Sequence, residues 1–229
     1  MGAFAKILAT VRTALEEKPA SVAPEHDKQE AVQAIVAPAT RHAELVASFA
    51  RELKALNAHL HGPVAGKELM RQALAIIDEI GARTIAIGEG VTADAAAIAN
   101  LLQHEGRDVV RAFDPAAEPP ATRAGIARAD LGVIEANYAI ASSGSLAVVA
   151  GPSRPNSLTL IPPASLVIIR TDRILADMAA VIEALGAANF IDHRVAIITG
   201  PSRTADIEKR IVLGVHGPKE LHVLAVWPG

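Results

Sequence analysis

The stretch "RTIAIGEGVTADAAAIANLLQHEGRDVVRAF", Arg83 to Phe113, decides the fold. A short apolar run ends at Gly88. A helical segment follows, opened by Thr92 and Asp94 and closed by Gly106, and "RDVVRAF" supplies a second apolar run. Strand, helix and strand at this spacing read as a parallel crossover unit.

The segments on either side extend that unit. Residues 40–60 and 67–80 repeat apolar positions at three and four and read as helices, the second ending at Gly81, a residue suited to a left-handed cap. Apolar runs at 145–150, 158–161 and 166–170 stand too close together for helices between them and predict antiparallel or hairpin-connected strands. "ILADMAAVIEALGA" reads as a helix, "RVAIITG" as a strand, "TADIEKRIVLG" as a helix and "LHVLAVWPG" as a final strand. The expected class is α/β: a mainly parallel Rossmann-like sheet flanked by helices, with an inserted antiparallel β segment. Ahead of it, residues 1–36 read as an amphipathic helix over 3–17 and a Pro-containing, charged linker, leaving 37–229 as the main domain.

Composition narrows the function. Net charge is −3, so no basic field invites nucleic acid or an anionic bilayer. Runs such as "LAVVA" are far shorter than the roughly 18 residues of a membrane-spanning helix, and cytoplasm is the expected location. Aromatic residues are only 3%, so the core must be built from Ala, Val, Leu and Ile. With no cysteine, the chain holds neither a disulfide nor a thiolate-ligated cluster by itself.

Ligands of open parallel sheets bind at the carboxyl ends of the strands. With Val195–Ile198 as such a strand and a helix from Ala205, the loop Gly200-Pro201-Ser202-Arg203-Thr204 is a candidate anion grip, and Asp206 stands in the helix's first turn. The same residues also suit a plain turn and helix cap. "GPSR" occurs twice, as Gly151 to Arg154 and as Gly200 to Arg203, which offers two readings: Arg154 and Arg203 converging on one anion, or a chance repeat in a chain with 14 prolines and 16 glycines. Ser143, Gly144 and Ser145 can cradle an oxyanion. Catalytic candidates are Glu135, ahead of that turn, and His216, in the Gly-bounded "VHGP" loop with Gly217. His59, His61 and His222 show no spacing of a three-ligand site, so no metal is expected.

"TGPSRTADIEKRIVLGVHGPKELHVLAV" and "SGSLAVVAGPSRPNSLTLIPPASLVII" closely resemble the C-terminal and central blocks of the lactate utilization protein C family, the LUD-domain proteins. The resemblance implies the fold of the sugar-phosphate isomerase and CoA-transferase superfamily. It also implies an accessory role in oxidising L-lactate to pyruvate beside two iron–sulfur partner proteins, which carry the clusters while this chain binds no cofactor. Ser143 to Ser145, Gly200 to Asp206 and His216 to Pro218 match the family pattern position for position. Ile134, Asn137 and Ser142 stand where that pattern has threonine, aspartate and glutamate. The alternatives from other classes are a stand-alone enzyme on a phosphorylated or CoA-linked carboxylate and a non-catalytic ligand-binding module; a homo-oligomer is compatible with either.

Overall fold

The computed structural model describes residues 38–88, 90, 94–112, 119–190, 193–205 and 211–228. The helix expected over 3–17 and its linker lie outside them. In chain order the elements are α1 (Pro38–Ala55), β1 (His59–Val64), α2 (Lys67–Ile80), β2 (Thr84–Ile87), α3 (Asp94–His104), β3 (Asp108–Arg111), α4 (Pro119–Arg128), β4 (Leu131–Glu135), β5 (Tyr138–Ile140) and β6 (Ser145–Val149). There follow α5 (Ser157–Leu160), β7 (Ala164–Arg170), β8 (Ile174–Leu175), α6 (Met178–Ala187), β9 (Val195–Ile198), β10 (Arg203–Ala205), β11 (Ile211–Leu213) and β12 (Glu220–Val226).

The crossover unit forms as its spacing demands: β2 and β3 pair in parallel, Ile85 opposite Val109, with α3 between them. β2 also pairs with β4, β4 with β7, β7 with β12 and β12 with β1, all in parallel, giving the six-stranded order β1-β12-β7-β4-β2-β3. Its central strands are covered on both faces and accordingly read as unbroken apolar runs. Along β7, Leu166 and Ile168 face the layer holding α2 and α3, while Val167 and Ile169 face the opposite core. The first layer is earned by α2, whose Leu69, Ala73, Ile76 and Ile77 form one buried stripe, and which ends at Gly81 with φ 71° as expected.

A second sheet covers the other face, in the order β8-β5-β6-β9. β6 runs antiparallel to both β5 and β9 and β8 parallel to β5, so the predicted β insertion is present. Its inner side joins Leu146 and Val148 to α1 through Phe49 and Leu53; its outer side packs Tyr138 and Val149 against Val181 and Leu185 of α6.

Four expectations are corrected. The 158–161 run is the helical turn α5, not a strand, and Leu158 packs so close to β4 that a Cβ on Gly132 would lie 2.1 Å from the Leu158 carbonyl oxygen. His59, inside the segment 40–60 read as a helix, stands instead with His61 in a strand, β1. β9 belongs to the second sheet and not to the parallel one. Of the helix expected from Ala205, residues 206–210 lie outside the described residues, and the described parts on either side are β10 and β11, an antiparallel pair that sets Thr204 opposite Val212; Ile211 and Val212 are β-branched, and cross-strand pairing overrides the helical spacing.

The turn between β5 and β6 is fixed against the last turn of α1. Gly144 has φ 62°, and a Cβ there would come 2.7 Å from the Leu53 nitrogen and 2.9 Å from the Glu52 carbonyl carbon. Left-handed backbone in a non-glycine residue costs about 1–3 kcal/mol, and each kcal/mol shifts Tm by about 2–4 °C at this size. Gly144→Ala is therefore expected to lower the melting temperature by roughly 2–12 °C on the same relation in differential scanning calorimetry. A shift within error would mean that the turn moves freely off α1.

Candidate functional site

Antiparallel pairing of β6 and β9 decides where the two "GPSR" loops go. Val149 lies opposite Val195 and Leu146 opposite Ile198, so the loop after β6 and the loop after β9 leave from opposite ends of the pair. Gly151 to Arg154 arrives at the carboxyl edge of the parallel sheet, where a Cβ on Gly88, just past β2, would meet the Ser153 carbonyl oxygen at 3.3 Å and the Arg154 Cγ at 3.5 Å. Gly200 to Arg203 arrives at the amino edge, beside Leu56 ahead of β1 and Pro218 ahead of β12. Arg154 and Arg203 therefore do not converge on one ligand, and the expected placement of the second loop at the carboxyl edge is corrected with it.

At the carboxyl edge the polar groups engage one another. Glu135, the last residue of β4, is buried, and its Oε1 accepts a hydrogen bond of 2.9 Å from the backbone N–H of Ala95 in the first turn of α3. The chain's own carboxylate thus occupies the positive end of that helix. Buried Asn137 accepts from the Val149 N–H at 2.9 Å and from Arg154 Nη1 at 3.3 Å through one oxygen. Arg170 pairs with Asp172 at 2.7 Å, and the ion pair holds the Asp172 carboxyl below its ordinary range.

At the amino edge the described residues leave a cavity. A pocket of about 390 Å³ is walled by the loops of Thr199 to Arg203 and His216 to Pro218, with Leu56, Thr159 and Ile197 among its other lining residues. The loops are knitted by backbone: Ser202 N–H donates to the Pro218 carbonyl at 2.8 Å, Gly214 N–H donates to the Ser202 carbonyl at 3.0 Å, and His216 N–H donates to Ser202 Oγ at 3.4 Å. Arg203 donates from Nη2 to the carbonyl of Leu56, which ties the loop to the end of α1. Behind the pocket runs a chain of hydroxyls, with Ser143 Oγ 2.8 Å from Ser145 Oγ and Ser145 Oγ 2.8 Å from Thr199 Oγ1. Ser145 is buried, so this chain leads from the pocket wall into the protein.

Among the described residues the charged or chargeable groups lining the pocket are Arg203 and His216; none is a carboxylate. With hydroxyls from Thr199 and Ser202 and apolar walls from Leu56 and Ile197, the arrangement suits a small anion that has an apolar portion. Of the sequence-derived site residues, the structure brings together Ser143, Gly144, Ser145, Gly200, Pro201, Ser202, Arg203, His216 and Gly217. Thr204 follows in β10, Asp206 lies outside the described residues, and Glu135 and Arg154 stand at the other edge. The catalytic candidates Glu135 and His216 thus occupy opposite edges. Leu56 and Thr159 carry no sequence signal, because only the fold returns them to the pocket; Thr199 is signalled by its place directly before Gly200.

The LUD domain model matches residues 27–226. The chain belongs to the LUD-domain family. Among curated relatives, the LUD-domain chain is 34% identical over 150 residues to the uncharacterized protein YkgG of Escherichia coli, covering 64% of each. It is 33% identical over 95 residues to lactate utilization protein C of Halalkalibacterium halodurans, covering 40% of this chain and 41% of that one. It is 32% identical over 122 residues to the protein of the same name from Deinococcus radiodurans, covering 53% and 55%. The matches span roughly 41–64% of the length of these relatives. The crystal structure of a DUF162 family protein from Deinococcus radiodurans superposes with a TM-score of 0.61 at 22% identity, covering 81% of this chain and 98% of that one, which shows the shared fold.

The role of Glu135 separates by substitution. Glu135→Gln keeps an acceptor for the Ala95 N–H and is expected to cost no more than about 1 kcal/mol, a typical helix-dipole contribution. Glu135→Leu leaves that buried N–H without its acceptor and is expected to cost about 1–3 kcal/mol. Urea titration of the two variants measures the difference, and equal losses would show that the carboxylate's charge, not its hydrogen bond, holds α3.

Proposed function

We propose that this LUD-domain protein acts in lactate utilization, as an accessory subunit that supports oxidation of L-lactate to pyruvate beside iron–sulfur partner proteins, and that its amino-edge pocket holds a small organic carboxylate. The role rests on family membership and on the names of the curated relatives. The observation that carries the ligand is the pocket lining, with Arg203 and His216 and no carboxylate among its described residues.

A chain without cysteine supplies no thiolate for a cluster, so electron transfer falls to partners. The part played by this chain's residues is recognition. The Arg203 guanidinium, steadied by the Leu56 carbonyl, offers its remaining N–H groups to a carboxylate, while Thr199 and Ser202 offer hydroxyls to a neighbouring oxygen.

Isothermal titration with L-lactate, pyruvate and inorganic phosphate tests the ligand. Loss of charge-assisted hydrogen bonds costs about 1.5–3 kcal/mol, so Arg203→Ala is expected to weaken carboxylate binding by roughly 10- to 150-fold. Arg203→Lys is expected to fall between the two, and Arg154→Ala, at the other edge, to leave affinity unchanged. Equal effects of Arg154→Ala and Arg203→Ala, or preference for phosphate over both carboxylates, would overturn the pocket assignment. For the role, purification from the native host is expected to bring down cysteine-rich proteins, and deletion to impair growth on L-lactate.

A further inference from the structure

Three imidazoles come together where β1 meets β12, on the face toward α2. His59 and His61 alternate along β1 and so share a face, and His59 lies opposite His222 in the parallel register. His61 Nε2 and His222 Nδ1 are 3.0 Å apart, a hydrogen bond in which one ring donates and the other accepts. The His59 ring stacks on His222 with centroids 4.8 Å apart. His222 is buried, and its Nε2 has no hydrogen-bond partner among the described residues. The carboxylates that face the stack are Glu79 from α2 and Glu220 from β12, the latter's Oε2 3.8 Å from His222 Nε2.

This arrangement fits neutral rings. A proton added to His222 sits beside two other imidazoles in a buried place and gives it a second N–H to satisfy. With His61 charged as well, two N–H donors confront each other across the present hydrogen bond. Burial, then the neighbouring histidine charges, outweigh Glu79 and Glu220 and push the His222 pKa below its ordinary 6.5; burial does the same for His61. Between those lowered values and 6.5 the unfolded chain takes up protons that the folded one refuses. The stabilisation is therefore complete above pH 6.5 and is lost as the pH falls.

What the stack holds matters for the pocket. Among the described residues β1 is an edge strand, attached to the sheet through β12 alone, and Leu56 stands three residues ahead of it. His216 to Pro218 lead directly into β12. We infer that the His59–His61–His222 stack is a proton-operated latch: neutral, it holds the start of β1 on β12, and protonation releases that edge together with the loops that wall the amino-edge pocket. Only the consequence for ligand binding rests on the reading of that pocket; the latch itself does not.

Hydrogen exchange of the full-length protein at pH 7.5 and pH 5.0, expressed as protection factors so that intrinsic rates cancel, reads the latch without any ligand. Linkage of one proton is worth up to tenfold per pH unit between the lowered pKa and 6.5, so protection over 59–64 and 216–223 is expected to fall on acidification, by no more than about thirtyfold per proton taken up, while β4 and β7 hold. His61→Gln and His222→Gln are each expected to abolish that local fall. Should His222→Gln fail to fold, His61→Gln decides, supported by imidazole nitrogen titrations of the wild-type protein, where His61 and His222 are expected to titrate below 6.5. Unchanged protection, an equal fall in β4 and β7, or a fall that persists in His61→Gln would overturn the latch. So would one equivalent of Zn²⁺ suppressing the fall and EDTA restoring it, which would make the stack a metal site instead.

Discussion

The hydrogen bonds between β6 and β9 run antiparallel, and this one pairing distributes the polar chemistry of the protein. Had β9 joined the parallel sheet, its loop would have emerged at the carboxyl edge beside Arg154, and the two like-built loops would have faced one ligand. Pairing with β6 instead sends Gly200 to Arg203 to the amino edge, against α1 and the approach to β12. Position relative to the sheet, rather than local sequence, decides what each loop can touch.

The two edges differ in how far their charges are already satisfied. At the carboxyl edge, Glu135 meets the first turn of α3, Arg154 meets Asn137, and Arg170 meets Asp172. Most of the directional capacity there is spent within the chain. At the amino edge the backbone groups of Ser202 bind two loops together, and although Arg203 gives one N–H to the Leu56 carbonyl and Ser202 Oγ accepts from the His216 N–H, the other guanidinium N–H groups and the Ser202 hydroxyl proton stand at the cavity. A rigid backbone with cationic and hydroxyl side chains turned outward is a sound basis for recognising a small anion, since little order must be gained on binding.

Much of the fold was legible because its evidence is local. The crossover from Arg83 to Phe113, the α2 stripe ending at Gly81 and the apolar runs at 145–150 and 166–170 each state their own conformation through period, cap and spacing. The misread segments are those whose conformation is set by a distant partner: "LTLI" becomes α5 because Leu158 must seat against Gly132, and "IVL" becomes β11 because β10 lies opposite. The site was legible to the same degree. Ser143 to Ser145, Gly200 to Arg203 and His216 were visible as loop chemistry, but the separation of Arg154 from Arg203 is a matter of strand direction, which no motif encodes. The histidine stack escaped the sequence for a related reason, as His-x-His is a weak pattern until β12 brings His222 into register.

The contact of Arg203 with the Leu56 carbonyl spans 147 residues and that of His61 with His222 spans 161. Contacts of such range require the loop-closure entropy to be overcome before they return any stabilisation. The crossover β2-α3-β3, by contrast, closes within about thirty residues, as such units do. The amino-edge pocket is thus a feature of the completed chain: its walls come from segments near both ends of the domain, and it exists only once β12 has entered the sheet between β1 and β7. Protein still emerging from the ribosome would carry the sheet's centre long before it carried a binding site.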